Sequence, residues 1–184
     1  MFLGYVLPEG NIILDLETTG LEPETDELVS YGIVAGSKAW VVIRLNGTEE
    51  ELIENLKKDL EEFKGSTIWA FYSSFEEKWL GYKIGGEFLK EHELRLLDLK
   101  QMRGRLVDIM PFPFGDPFDG SSVPSLWESW KVRASIGSIA GIIHHNMADI
   151  LREAFLWALI ENGAFRSNGR RWFYYDEYED EEDY

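Results

Sequence analysis

The hydrophobic pattern along the chain gives an alternation of strands and helices, with short apolar runs over the first 45 positions and helical spacing over residues 49–64. NIILDLET (11–18) is a short apolar run bounded by Gly10 and Gly20, and reads as a strand. ELVSYGIVAG (27–36) and KAWVVIRL (38–45) follow, with only Ser37 between them after Gly36. That spacing predicts a hairpin, so the sheet should begin antiparallel. Over 49–64, Leu52, Leu56, Leu60 and Phe63 form one helical stripe, with Thr48 as N-cap and Glu49, Glu50 and Glu51 in the first turn. STIWAFY (66–72) predicts a fourth strand, FEEKWLGYKI opens a helix, and LRLLDL (94–99) is a fifth strand or the lead into a helix. Residues 110–125 hold four of the six prolines and predict a long loop, suited to a lid or a substrate-binding insertion. SLWESW predicts a short helix. From Asn146 the pattern is helical again, with Met147, Ile150, Leu151, Ala154, Phe155, Ala158 and Leu159 on one side. Strands, a helix, a strand, then helices predict one mixed-sheet α/β domain over residues 1–175, with no internal repeat.

Composition narrows this picture. A chain of 184 residues, 45% hydrophobic and 14% aromatic, carries enough apolar area for a sizeable core. No segment has the roughly 18 uninterrupted apolar residues of a membrane helix, and the opening MFLGYVLPEGN lacks the basic start of a secretory signal. Zero Cys excludes a disulfide scaffold, a thiolate nucleophile and any Cys-ligated metal. A soluble cytoplasmic protein without membrane contacts is the expectation. The net charge is −16, of which DEYEDEEDY (176–184) carries −7, leaving −9 on residues 1–175. That segment reads as a disordered, solvating tail able to engage a protein partner. Such a balance argues against sequence-blind coating of duplex DNA, which needs a basic surface. It leaves open a site where bound cations reverse the local field.

Asp15 and Glu17 stand one residue apart on the first strand, so alternation puts both carboxylates on one face and Leu14 and Leu16 on the other. Paired like charges on a partly buried face need compensation. No Lys or Arg occurs in residues 1–37, so a divalent cation with a taste for hard oxygen ligands is the favoured partner.

The stretch ILDLETTGLEP resembles the first motif of the DEDD superfamily of 3′–5′ exonucleases, whose fold is RNase H-like. The resemblance implies that Asp15 and Glu17 bind two divalent ions, Mg²⁺ or Mn²⁺, with Thr18 and Thr19 beside the terminal nucleotide. The family's second motif carries Phe-Asp after the fourth strand. Here AFYSSFEEKWL puts Phe75-Glu76 in that place, a carboxylate one methylene longer, with Glu77 as its neighbouring alternative. The third motif takes the form His-x4-Asp in one branch and Tyr-x3-Asp in another. HHNMAD fits with Asp149 as the last ligand: His144 stands at the x4 spacing and His145 at the x3 position. The chain is nearer the His-containing branch, with His144 as base and His145 as alternative.

The implied chemistry is two-metal hydrolysis of a phosphodiester, with Asp15, Glu17, Glu76 and Asp149 as ligands. An imidazole, whose ordinary pKa is about 6.5, is suited to take a proton from water at neutral pH. The expected substrate is a single-stranded 3′ end, DNA ahead of RNA, although no residue here reads a 2′-OH. Arg95, Lys100, Arg103, Arg105, Lys131, Arg133, Arg166, Arg170 and Arg171 are candidates to track phosphates, and Phe112, Phe114 and Phe118 to stack bases. Two rival readings remain: a catalytically weak relative acting as a binding or scaffold subunit, which the Glu76 replacement favours, and an RNase H-like endonuclease. The aromatic content permits a homo-oligomer.

Overall fold

The computed structural model describes residues 6–99, 104–110 and 116–163. Five strands form one sheet in the order β3-β2-β1-β4-β5, with β1 (Asn11–Thr18) at its centre. β2 (Leu28–Ala35) and β3 (Lys38–Ile43) are joined by a two-residue turn in which Gly36 takes φ +55°, and β1, β2 and β3 run antiparallel. β4 (Thr67–Ala70) and β5 (Arg95–Asp98) extend the sheet in parallel from β1, so the first three strands are antiparallel as the sequence predicts. LRLLDL is thereby a strand rather than a helix lead.

α1 (Glu49–Glu61) carries β3 back across the sheet to β4. It starts in a capping box: Glu51 N–H donates to Thr48 Oγ1 at 3.3 Å, and Thr48 N–H donates to Glu51 Oε2 at 3.2 Å. Its stripe of Leu52, Leu56 and Leu60 is buried against Ile12, Leu14, Leu16 and Ile68 on one face of the sheet. α2 (Ser73–Leu80), a π-type turn (Gly81–Gly85) and α3 (Gly86–Glu91) fill the connection to β5, and Trp79 completes that core.

The other face is covered by α6 (Ile136–Glu161), a 26-residue helix that begins ten residues before the Asn146 start read from the sequence. Gly137 and Gly141 dilute the hydrophobic pattern in that first part. Gly141 is there for contact, since a Cβ would stand 2.9 Å from the Phe118 ring. Phe118 therefore packs an edge of its ring on α6. Ile150, Leu156 and Trp157 are the fully buried residues of α6 against Ile13 and Val34, flanked by the half-buried Met147, Leu151 and Phe155. The approach is close because Gly32 on β2 has no side chain: a Cβ there would lie 2.8 Å from Ile150 Cγ2.

Between β5 and α6 lie the short α4 (Leu106–Ile109) and α5 (Val123–Arg133), which packs on α6 through Val123, Trp127, Ile139 and Ile142. The long loop predicted over 110–125 thus ends at Gly120–Ser122, a single 3₁₀ turn leading into α5. The acidic tail, together with Lys100, Arg103, Phe112, Phe114, Arg166, Arg170 and Arg171, lies outside the described residues. Among the described residues no helix is long and apolar enough to cross a membrane.

Candidate active site

Strand alternation settles where the first two acids go. Ile12, Leu14 and Leu16 pack toward α1, so Ile13, Asp15 and Glu17 face α6. β1 is bonded on both sides along its first half, and its pairing with β2 shifts register between Glu17 and Thr18. That irregularity ends the strand just past the acids. Thr18 Oγ1 donates to Gly20 O at 2.6 Å and Glu27 N–H donates to Thr19 Oγ1 at 2.8 Å, so both hydroxyls hold the loop that follows.

The third acid arrives from α2. The chain leaves β4 through Tyr72 at φ +80°, a left-handed conformation unfavourable for a tyrosine, and Asp98 accepts the Tyr72 N–H at 3.1 Å. The turn buries Glu76, whose Oε2 has no hydrogen-bond partner among the described residues, and leaves Glu77 exposed. Of the two second-motif candidates, only Glu76 faces the site.

α6 supplies the rest. Asp149 and His145 are four residues apart and share a face; His145 Nε2 stands 3.5 Å from Glu17 Oε1 and 3.7 Å from Asp149 Oδ2. His144, at the x4 spacing, is exposed and lies with Ile143, Met147 and Leu151 along a shallow apolar groove turned away from the acids. The imidazole brought to the carboxylates is therefore His145, at the spacing of the tyrosine branch. A full turn of helix puts i and i+4 on one face, whereas i+5 is carried roughly 140° around it.

Four residues of this site carry no motif signal. Asn146, fully buried one turn before Ile150, hydrogen-bonds through Nδ2 to the Asp15 carboxylate. Asp116, from the loop before α5, accepts from His145 Nδ1 at 2.8 Å. Arg152 bridges Asp149 Oδ1 at 2.6 Å and Asp116 Oδ2 at 3.2 Å. Glu153 is 1% exposed, accepts a hydrogen bond from the Phe71 backbone and leaves Oε2 without a partner among the described residues. Arg152 and Glu153 were within reach of helical spacing from Asp149, at i+3 and i+4. Nothing local marks Asp116.

Six carboxylates, from Asp15, Glu17, Glu76, Asp116, Asp149 and Glu153, thus meet two nitrogen bases. Burial, then repulsion from Asp149, pushes the Asp15 carboxyl up to about 7. Burial and neighbouring acids push Glu17, Glu76 and Glu153 well above the ordinary carboxylate range. Burial also raises Asp149, offset in part by His145 and Arg152. Asp116 goes the other way: burial opposes ionisation, but the bonds from His145, the Phe118 N–H and Arg152 hold it below its usual value.

Among the described residues the tightest set of ligand atoms, all within 4.8 Å, belongs to Asp116, His145 and Asp149. Two of these acids, Asp116 and Asp149, already share the single guanidinium of Arg152. Beside them stand Asp15, Glu17 and Glu76, and Glu76 Oε2 and Asn146 Oδ1 are buried oxygens with no partner among the described residues. A hard cation that prefers oxygen ligands fits that donor set. The acids open into a cleft of about 830 Å³ whose walls include Phe71, Tyr72, Phe75, Thr18 and Pro124.

No known protein-family profile matches the chain. An uncharacterised protein of Methanocaldococcus jannaschii is 24% identical over 168 residues, covering 80% of this chain and 93% of that one. The fold resembles part of the family B DNA polymerase of the archaeon Pyrobaculum calidifontis, with TM-score 0.63 and 13% identity over 84% of this chain and 25% of the polymerase. It also resembles Exonuclease I of Methylocaldum szegediense, with TM-score 0.53 and 16% identity, and Exonuclease I of E. coli bound to an oligonucleotide, with TM-score 0.51 and 13% identity. Against either exonuclease the chain matches 83% of its own length and spans 40% of the other chain. The mixed five-stranded sheet flanked by helices is the RNase H-like, exonuclease-type fold.

Proposed function

We propose that this protein is a metal-dependent 3′–5′ exonuclease that hydrolyses the terminal phosphodiester of single-stranded nucleic acid, DNA in preference to RNA. The observation that carries this reading is the convergence of β1, α2 and α6 on one cleft. Asp15, Glu17, Glu76 and Asp149 meet there beside His145, more buried carboxyl groups than the nearby bases can pair, each of which resists ionisation without a further cation.

Asp15, Glu17, Glu76 and Asp149 would hold two Mg²⁺ or Mn²⁺ ions, which supply charge stabilisation at the phosphate and an activated water when bound. His145 Nε2 is placed to take a proton from the attacking water. Asp116 accepts the Nδ1 hydrogen and so keeps Nε2 as the proton acceptor, while Arg152 anchors Asp116 against Asp149. The separations from Nε2 to Glu17 and Asp149 exceed those of a charge-assisted hydrogen bond, about 2.7–2.9 Å, so the ring is placed beside the acids without being tied to them. Asn146 fixes the Asp15 carboxylate, and the Thr18–Gly20 turn presents the cleft wall where the terminal nucleotide lies. Phe75 and the half-exposed Tyr72 offer base contacts there.

The test is a 5′-labelled single-stranded DNA and its RNA counterpart, each with Mg²⁺ or Mn²⁺. A ladder receding from the 3′ end, absent with chelator or in Asp15→Ala, is the expected result. Internal cuts indicate an endonuclease instead. No cleavage of either strand under any metal overturns the enzymatic reading in favour of a binding subunit.

A further inference from the structure

A second cavity, of about 490 Å³, lies further along α5 from the acidic cleft. Arg44, Trp127, Trp130 and Lys131 line it with Glu27 and the Leu45–Gly47 turn. It differs from the cleft in character, being built of cations and indoles. The Arg44 guanidinium lies over the Trp127 ring, 4.8 Å from its centroid, and is itself only 9% exposed. Its Nε–H is buried with no acceptor among the described residues. Its paired anion is Glu27, whose side chain is 45% exposed. Trp130 is pinned by its own Nε1–H to Leu45 O at 3.0 Å, which fixes the ring at the cavity wall. Lys131, 46% exposed, pairs with Glu128 on the same helix at 3.0 Å. The charged groups facing the cavity are thus Arg44 and Lys131 against Glu27, with Glu128 beside Lys131.

A buried guanidinium donor left unsatisfied calls for an acceptor with negative charge, and a fixed indole at its side calls for a flat partner. A nucleotide has both. The two cavities are also connected in the fold. Pro124 borders the cleft, while Trp127 and Lys131 border this pocket, three and seven residues further along one stripe of α5. Seven residues of helix span about 10 Å, roughly three nucleotides at a stacked rise of 3.4 Å. The loop from Thr19 to Glu27 joins the two sites on their other side through the Glu27 N–H bond to Thr19.

We propose that the Arg44–Trp130–Lys131 pocket is a phosphate-and-base subsite for a nucleotide about three positions upstream of the 3′ end held in the acidic cleft. The proposal rests on the single-strand reading above. In the free protein Glu27 stands where the upstream phosphate docks, and the strand replaces it at Arg44. A chain of net charge −16 gains its hold on a polyanion here, locally, and not through an overall basic surface.

The test uses the full chain with Mg²⁺ and fluorescent phosphorothioate thymidylates, which resist hydrolysis, read by anisotropy. The decamer should bind at least tenfold more tightly than the dimer. Lys131→Glu and Trp130→Ala should each weaken decamer binding by about fivefold or more, the low end for losing a stacked base. Trp130→Phe, which keeps a ring, should restore most of that loss, and Glu27→Gln should tighten decamer binding. A 4-thiothymidine placed three or four nucleotides from the 3′ end should cross-link to residues 127–134. Equal affinity for the two lengths, or wild-type affinity in Lys131→Glu and Trp130→Ala, overturns the subsite. If labelled DNA is still shortened from its 3′ end in that case, the exonuclease reading stands. If wild-type protein neither binds nor shortens any oligonucleotide, both fall together.

Discussion

His144 and His145 are adjacent in sequence and opposite in circumstance. One is exposed beside an apolar groove; the other is 5% exposed between Asp116 and the acids. His145→Ala should therefore lower the rate of 3′ shortening by about 10²- to 10⁴-fold, the usual contribution of a positioned base, and His144→Ala by less than about twofold. Equal losses would remove the imidazole at position 145 from its assigned role. The buried acids give a second expectation, in the pH dependence of stability. Their folded-state pKa values lie above the unfolded ones, so their contribution is complete below about pH 4 and lost as pH rises through the folded values, about 7 for Asp15. The metal-free protein should melt at lower temperature at pH 8 than at pH 5, by roughly 2–4 °C for each kcal/mol lost in a domain of this size. Mn²⁺ should reverse the loss at pH 8 more than at pH 5. A metal-free melting temperature that climbs over this range contradicts the assignment.

At the level of elements, the site depends on how near α6 sits to the sheet, and Gly32 sets that distance. Gly32 pairs with Asp15 across β1 and β2, and a Cβ added to it would meet Ile150 at 2.8 Å and Asn146 Oδ1 at 3.0 Å. Gly32→Val should cost about 1–3 kcal/mol in urea unfolding. It should reduce cleavage well beyond that stability loss, because Asn146 and Asp149 ride on the displaced helix. The early strands, the hairpin and the α1 stripe were legible because each follows from a local run or period, whereas the strand order β3-β2-β1-β4-β5 rests on pairings between distant segments. Asp15, Glu17, Glu76 and Asp149 were legible because short motifs name them. The helical start at Ile136 was hidden by Gly137 and Gly141, of which Gly141 serves close packing against Phe118 and not propensity. Asp116 was invisible for a different reason: its partner His145 is 29 residues away, and no spacing rule links a loop to a helix at that distance.

For the whole molecule, charge governs how a polyanion is met. Removing residues 176–184 changes the net charge from −16 to −9 and should tighten oligonucleotide binding at low salt. The gain should fade near 0.5 M salt, where exposed charges are screened within a few ångströms. An affinity that is unchanged at low salt would place the tail out of electrostatic reach of the strand. The distribution of the acids along the chain has a different kind of consequence. Asp15 comes early, Glu76 in the middle, and His145 and Asp149 on a helix that ends at Glu161. A growing polypeptide therefore holds no complete cleft until α6 has been made and has docked on the sheet.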